Sequence, residues 1–251
     1  MPGHGEPYVG CGTILSKGCL NIAEHPKSLD LNESPIFVMR YKLSCHRKEC
    51  PECYESWAGL EAGRGEYRIN AYSKRFCCEP IHVIVSPSNF DMNFSKMRSK
   101  CYSICRSSGI HGGACVFHPF RKDKMSNKWY FSPHFHVIGF GWIRNTDVLY
   151  RNTGWLVKNK GIRKTVFGTF LYQLSHAGIN PKFHVVTWFG KLAYNNFIIP
   201  KKPDEPEPVC PICGKKLIPL IFIGETDRPP PEKEGNYYLK AEGWIRCDRH
   251  F

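Results

Sequence analysis

The sequence predicts an α+β fold: an antiparallel sheet with helices packed on one face, accompanied by two small zinc-binding modules. Residues 80–199 show a strand, a helix, a series of strands, a helix and a last strand in that order, which suits such a sheet. Cysteine pairs separated by two residues lie outside this zone, at 50–53 and 210–213, and are typical of zinc knuckles. The length of 251 residues fits one main domain with small appendages.

The elements of the core follow from apolar patterning and turn residues. The run IHVIVS is rich in β-branched residues and predicts a buried strand. The predicted elements, in order, are a strand at Ile81–Ser86, a helix at Phe94–Arg106, strands at Ala114–His118, Trp129–Phe131 and His134–Trp142, a helix at Val166–Ala177 and a last strand at Phe183–Phe189.

The predicted domain organisation has four segments. Residues 1–79 form an N-terminal zinc-binding module that ends in a helix, and residues 80–199 form the core. The segment PKKPDEPEPV at 200–209 is a linker, because it is too polar and too rich in proline to pack. Residues 210–251 form a C-terminal zinc ribbon or knuckle, which is too short to build a core without a metal.

The composition indicates a nucleic-acid partner. The formal net charge is +13, the isoelectric point is about 9.2 and aromatic residues make up 14% of the chain. No stretch approaches the ~18 apolar residues of a membrane span, and the N-terminus lacks the basic start and apolar run of a secretory signal. We therefore expect a cytoplasmic protein, in which thirteen cysteines indicate metal sites rather than disulfides.

Basic residues with aromatic residues among them recur along the chain. Such runs can follow a phosphate backbone while the rings stack on bases, although a solvated charged surface is the alternative for any single run. Examples are Arg40–Lys42, Arg121–Trp129 and Lys158–Lys164.

A pair of histidines, His134 and His136, lies in the segment SPHFHVIGFGW. Side chains alternate along a strand, so both imidazoles point to one face and Phe135 points to the other. Two neighbouring imidazoles can chelate a divalent cation. Two ordinary strand histidines are the alternative.

The chain resembles HUH endonucleases, whose defining motif is a strand with the pattern histidine, hydrophobic residue, histidine. The order of elements is also similar: in this chain, as in those enzymes, an upstream strand precedes the histidine strand, and a helix with a tyrosine follows it. The segments HPFR and SPHFHVIGFGW resemble those of archaeal plasmid and virus replication initiators in particular. The resemblance covers roughly residues 40–200. It implies the HUH fold, a Mg²⁺ or Mn²⁺ site and nicking of single-stranded DNA.

The segment TVFGTFLYQLSHAGINP predicts a helix that displays a tyrosine. The apolar residues Phe167, Phe170, Leu171 and Leu174 form one stripe, and Tyr172 lies roughly opposite its centre. A tyrosine oxygen that attacks a phosphate polarised by a divalent cation forms a covalent phosphotyrosine.

The resemblance assigns the remaining site residues. Two histidines leave a metal under-coordinated, and in some branches of the family a third ligand lies one helical turn after the tyrosine. His176 matches that position, and His118 is the fallback. Tyr194 is the rival nucleophile, but two asparagines follow it, which suits a turn. Many relatives carry a lysine shortly after the tyrosine, whereas this chain has Ser175 and His176 three and four residues after it. Either the role of that lysine is missing here, or Lys182 or Lys191 takes it.

Two structural zinc sites are predicted. The C-terminal site combines CPICG with CDRH, so its ligands are Cys210, Cys213, Cys247 and His250. The N-terminal site uses Cys45, Cys50 and Cys53 of CHRKECPEC, with Cys11 or Cys19 as the fourth ligand; the glycines that flank Cys11 favour it. The remaining helix and strand cysteines, Cys101, Cys105 and Cys115, are interpreted as small buried hydrophobes.

Three functions remain open. The first is a nickase and strand transferase that initiates rolling-circle replication of a plasmid or virus, acts on single-stranded or origin DNA and works with host replication proteins or a helicase in trans. The second is an HUH transposase with the same chemistry. The third is a non-catalytic zinc-ribbon DNA-binding protein, which would not need Tyr172 beside a metal.

Overall fold

The computed structural model describes residues 1–28, 33–180, 182–200, 206–224 and 229–247. It is an α+β structure with two antiparallel sheets and, within those ranges, four α-helices. The strands are β1 (Ile14–Cys19), β2 (Ile36–Lys42), β3 (Ile81–Ser86), β4 (Ile110–Lys122), β5 (Trp129–Gly141), β6 (Leu156–Ile162), β7 (Val186–Gly190), β8 (Ile218–Phe222), β9 (Gly235–Leu239) and β10 (Trp244–Arg246), and the helices are α1 (Tyr54–Phe76), α2 (Phe94–Ser107), α3 (Thr146–Thr153) and α4 (Val166–Leu174).

The chain forms two compact units, and the division differs from the predicted one. The first unit contains Met1–Pro7 and His46–Lys201, and the second contains Tyr8–Cys45 and Lys202–Phe251. The predicted boundaries at 79 and 210 treated the two cysteine-rich ends as separate modules. The structure instead joins strands from both ends of the chain in one sheet. A shared sheet buries more apolar surface than either short segment could bury by itself.

The sheet of the first unit has the strand order β6-β3-β5-β4-β7, and every neighbouring pair is antiparallel. The strands β4 and β5 form a long hairpin, in which His118 lies directly opposite His134. The register shifts just beyond that pair, between His118 and Phe120. Pro119 and Pro133 both lie in this stretch and have no N–H to donate, which accords with an irregularity there.

Helices cover both faces of this sheet, which corrects the prediction that they pack on one face. Ile138 and Phe140 of β5 pack with α1 and α4, whereas Phe135 and Val137 pack with α2. Alternate residues of a strand point to opposite faces, so the two sets of helices lie on opposite sides. The centre of β5 is buried on both faces, which requires such double cover.

The sheet of the second unit has the strand order β10-β8-β1-β2-β9. β1 and β2 form its central antiparallel pair, and the C-terminal strands add to both sides. Its core contains Ile36, Val38, Leu220 and Trp244.

Several predicted boundaries differ from the observed ones. β5 is one strand where two were predicted, and α4 ends at Leu174 rather than Ala177. Consequently His176 lies just beyond the helix, after its C-cap Ser175. Among the described residues, no helix combines the length and apolar character that crossing a membrane requires.

Candidate metal and nucleophile site

Three buried histidines, His118, His134 and His136, meet on the face of the first sheet that α1 and α4 cover. β4 supplies the first and β5 supplies the other two, and one potential ligand atom of each lies within 4.8 Å of the others. His118 is thus the third member of the cluster. The sequence had named it only as the fallback to His176.

Hydrogen bonds to the backbone orient two of the three rings. The Nε2 of His118 donates to the carbonyl oxygen of Gln173 at 2.8 Å, and the Nδ1 of His134 donates to that of Ser132 at 2.8 Å. A neutral imidazole that donates from one nitrogen keeps a lone pair on the other. The Nδ1 of His118 is buried and has no hydrogen-bond partner among the described residues, so this cluster contains a buried acceptor that a cation would satisfy.

A fourth histidine, His82 of β3, supports the third ring. Its Nε2 lies 2.8 Å from the Nδ1 of His136, and the rings stack with centroids 5.1 Å apart. The guanidinium of Arg163 donates to the Nδ1 of His82 at 3.0 Å, so a neutral His82 carries its proton on Nε2 and donates it to His136. No motif of the sequence singles out His82, although its place on the adjacent strand follows from the sheet order.

Burial keeps these imidazoles neutral. It lowers the pKa of His134 to about 4, and burial together with the charge of Arg163 lowers the pKa of His82 to about 4. The pKa values of His118 and His136 are lowered well below the usual range, mainly by burial and then by the neighbouring histidines. Neutral imidazole is the form that binds a metal.

Tyr172 lies next to His176, and His176 in turn lies next to His118 of the three-histidine cluster. The tyrosine side chain is 67% exposed, and its ring centroid is 4.9 Å from that of His176. The ring of His176 is in turn 4.4 Å from that of His118, and burial lowers its pKa. The structure therefore brings the predicted nucleophile to the histidines but places His176 between them, outside the three-histidine cluster.

The orientation of α4 explains the exposure of Tyr172. Its buried residues are Val166, Phe170, Gln173 and Leu174, whereas Phe167 and Leu171 of the predicted stripe remain partly exposed. The apolar face is thus rotated from the predicted one, but it still directs Tyr172 outward.

The rival Tyr194 lies in a different environment. It belongs to the turns after β7, and its ring packs 4.7 Å from the guanidinium of Arg68 and 6.5 Å from Trp188. The buried Arg68 also donates hydrogen bonds to the carbonyl oxygens of Leu192 and Phe197, so it fixes this segment against α1.

The four N-terminal cysteines predicted to share a zinc do come together. The sulfur atoms of Cys11, Cys45, Cys50 and Cys53 lie within 4.8 Å of one another. The Cys50–Cys53 pair forms a tight turn in which the backbone N–H groups of Cys53 and Tyr54 donate to the carbonyl oxygen of Cys50. Four thiols at this spacing are compatible with structural zinc.

The C-terminal cysteine pair finds different partners from those predicted. Cys210 and Cys213 lie with Cys19 and His25, with one ligand atom of each within 4.8 Å of the others. We call these four residues the Cys₃His cluster. Cys247 follows β10, where its N–H donates to the carbonyl oxygen of Pro219, and β8 separates it from β1 and Cys19. The other predicted ligand, His250, lies outside the described residues.

The donor geometry of the Cys₃His cluster suits zinc. The Nδ1 of His25 donates to the carbonyl oxygen of Pro35 at 2.7 Å, which leaves the Nε2 lone pair 3.3 Å from the sulfur of Cys213 and 3.5 Å from that of Cys210. A hydrogen bond from the backbone N–H of Lys215 is the main reason that the pKa of Cys213 is lowered to about 6. Burial raises the pKa of Cys19 to about 11. Gly214 has a φ of 70°, which the knuckle turn requires.

In the part of the chain that the structure describes, the core cysteines Cys101, Cys105 and Cys115 belong to no such group of ligands. Cys101, Cys105 and Cys115 are buried among the apolar residues around α2, in accordance with their interpretation as small hydrophobes. No protein-family model, curated protein or solved structure matches the chain.

Proposed function

We propose that the chain is an HUH-type endonuclease that nicks single-stranded DNA, becomes covalently joined to it through Tyr172 and thereby initiates rolling-circle replication. The observation that carries the proposal is an exposed tyrosine next to His176, which in turn contacts one of three buried histidines whose potential ligand atoms lie within 4.8 Å of one another. A binding protein has no need of this combination. The net charge of +13 suits the polyanionic substrate.

The histidines fit a divalent cation by their chemistry. His118 and His134 present lone pairs. His136 would present a third lone pair, on Nε2, in the tautomer that carries its proton on Nδ1 and donates it to the Nε2 of His82. Imidazole donors favour Mn²⁺ and other transition metals over Mg²⁺. A cation bound at this cluster would polarise the scissile phosphate and offset the charge that develops in the transition state.

The covalent step uses the residues on the outer side of the cluster. The phenolic oxygen of Tyr172 attacks phosphorus; a bond forms between them, the bond from phosphorus to the 3′ oxygen breaks, and a 5′-phosphotyrosine results. His176, neutral and next to the phenol, accepts the phenolic proton, and the departing 3′ oxygen takes a proton to become a hydroxyl. The reverse reaction with another 3′ hydroxyl transfers the strand.

The second candidate is a non-catalytic DNA-binding protein held together by zinc. The two cysteine-rich clusters favour it, because they would fold short segments without any catalytic role. An HUH transposase would use the same chemistry as the initiator. Host replication proteins or a helicase in trans are proposed partners of the initiator.

A covalent adduct separates the catalytic proposal from the binding one. We would incubate the protein with labelled single-stranded DNA and Mn²⁺ and look for a labelled band that survives denaturation. Peptide mass spectrometry should locate DNA on the peptide that contains Tyr172. A protein that binds the DNA but forms no adduct with any divalent metal would be the non-catalytic candidate.

A further inference from the structure

The tip of the β4–β5 hairpin carries an unusual set of exposed side chains. We call it the arm, and it comprises residues 120–131 beyond the register shift. The turn at its end is ordered, because the N–H of Asp123 donates to the carbonyl oxygen of Lys128 and the carboxylate of Asp123 accepts from Ser126. Its exposed groups are therefore displayed by a defined β-ribbon.

The arm combines aromatic rings with positive charge. Its exposed rings belong to Phe120, Trp129, Tyr130 and Phe131. Its exposed cations are Lys122, Lys124 and Lys128, and Arg121 is anchored to Ser86 and Ser132 by hydrogen bonds. Asp123 is the one acidic residue in the arm sequence and is engaged in the turn.

The arm also reaches the candidate catalytic site. The ring of Trp129 lies 5.9 Å from that of His176, which neighbours Tyr172. A strand held by the arm would thus continue towards the tyrosine. Exposed rings on a monomer without a partner are unfavourable in water, so their concentration here indicates a ligand.

We propose that the arm is a single-stranded DNA-binding surface, in which Trp129 and Tyr130 stack on bases and the lysines contact phosphates. This inference rests on the proposed function and identifies how that site would hold its substrate. Unpaired bases expose the faces that aromatic rings need, whereas bases in a duplex are already stacked. The three lysines give the charge complementarity that favours a nucleic acid over an apolar protein partner.

Binding should be measured separately from cleavage. We would measure the fluorescence anisotropy of a labelled single strand of mixed sequence, without added divalent metal, across a series of salt concentrations. Tyr130→Ala and Trp129→Ala should each weaken binding by about fivefold or more, the range for loss of one stacked base. Tyr150→Ala is the matched control, because Tyr150 is 53% exposed on α3 and Tyr130 is 50% exposed.

The lysines should affect the salt dependence. The triple variant Lys122→Gln, Lys124→Gln, Lys128→Gln should lower the slope of log affinity against log salt by up to about 2, since each phosphate contact on a single strand contributes about 0.7. Circular dichroism should verify that every variant is folded. If Trp129→Ala does not fold, Tyr130→Ala still tests the stacking of bases on the arm.

The outcomes distinguish this inference from the proposed function. If the arm variants lose affinity while Tyr150→Ala does not, the arm is supported, even if the parent never forms an adduct. If the arm variants bind like the parent, the inference is wrong, even if the adduct forms on Tyr172. Equal losses on blunt duplex DNA of the same sequence would also overturn it, because bases within a duplex do not stack on these rings.

Discussion

The three-histidine cluster and the Cys₃His cluster hold their donors in contrasting ways. The first uses neutral nitrogen atoms from two neighbouring strands, and an exposed tyrosine stands beside it. The second uses three sulfur atoms and one nitrogen, brought from positions 19 and 25 to positions 210 and 213. Imidazole sites bind Mn²⁺ weakly and exchangeably, whereas thiolate sites bind zinc tightly as part of the fold. This difference is the basis for our proposal that the histidine cluster serves catalysis and the Cys₃His cluster serves stability.

The largest effect should come from Tyr172→Phe, which keeps the ring and removes the attacking oxygen. We expect complete loss of cleavage and of the covalent adduct, with affinity for single-stranded DNA within a few-fold of the parent. Denaturing gels and anisotropy measure the two properties. Tyr194→Phe, the control, removes the hydroxyl of a tyrosine that is similarly exposed, 69% against 67%, and should still form the adduct. An active Tyr172→Phe protein would show that the nucleophile lies elsewhere.

The Cys₃His cluster should affect folding. Protein purified without added zinc should contain about two zinc ions per chain. Cys213→Ser should lose about one of them and lower the unfolding temperature, since structural zinc contributes folding free energy directly. The matched control is Cys247→Ser, which removes a buried thiol outside the cluster. Zinc loss with Cys247→Ser, and none with Cys213→Ser or His25→Ala, would restore the ligand set predicted from sequence.

His118 and His176 should differ in what they contribute to the site. His118→Ala removes a proposed ligand and should abolish Mn²⁺ binding, measured by electron paramagnetic resonance, together with cleavage. His176→Ala should retain Mn²⁺ and lose about 10²–10⁴-fold in cleavage rate, the usual contribution of a general base. Mild EDTA should stop cleavage by the parent without removing zinc, and Mn²⁺ should restore it. Loss of Mn²⁺ from His176→Ala would make His176 the third ligand after all.

Local patterns predicted much of the first unit. The bounds of β3 agree with the run IHVIVS, and the pairing of His134 with His136 follows from strand alternation alone. Prediction of His118 as the third member of the cluster would have required the register between β4 and β5, which no local pattern specifies. The roles of Cys19 and His25 were harder still to predict, because their partners are more than 180 residues away along the chain. The strand order of the second sheet brings these residues together.

The smallest effect should come from substitution of His82, which is also the most sensitive test of the contrast between the two clusters. Its Nε2 donates to His136 and its Nδ1 accepts from Arg163, so it fixes the orientation of a ligand without contributing one to the cluster. The amide of Gln173 lies 3.3 Å from the same Nε2, and exchange of its nitrogen and oxygen would also satisfy the buried Oε1.

His82→Phe keeps a ring in this place but removes both hydrogen bonds, so the ring of His136 loses its anchor. Loss of such an outer partner typically costs about 10–100-fold in metal affinity, which Mn²⁺ titration would measure. His82→Gln, whose amide can accept from or donate to the Nδ1 of His136, should recover part of that loss. Zinc content should stay unchanged in both variants, because the Cys₃His cluster draws its ligands from other elements. If His82→Phe bound Mn²⁺ as tightly as the parent, the three ligands would be held by their strands alone, and the contact with His82 would serve packing only.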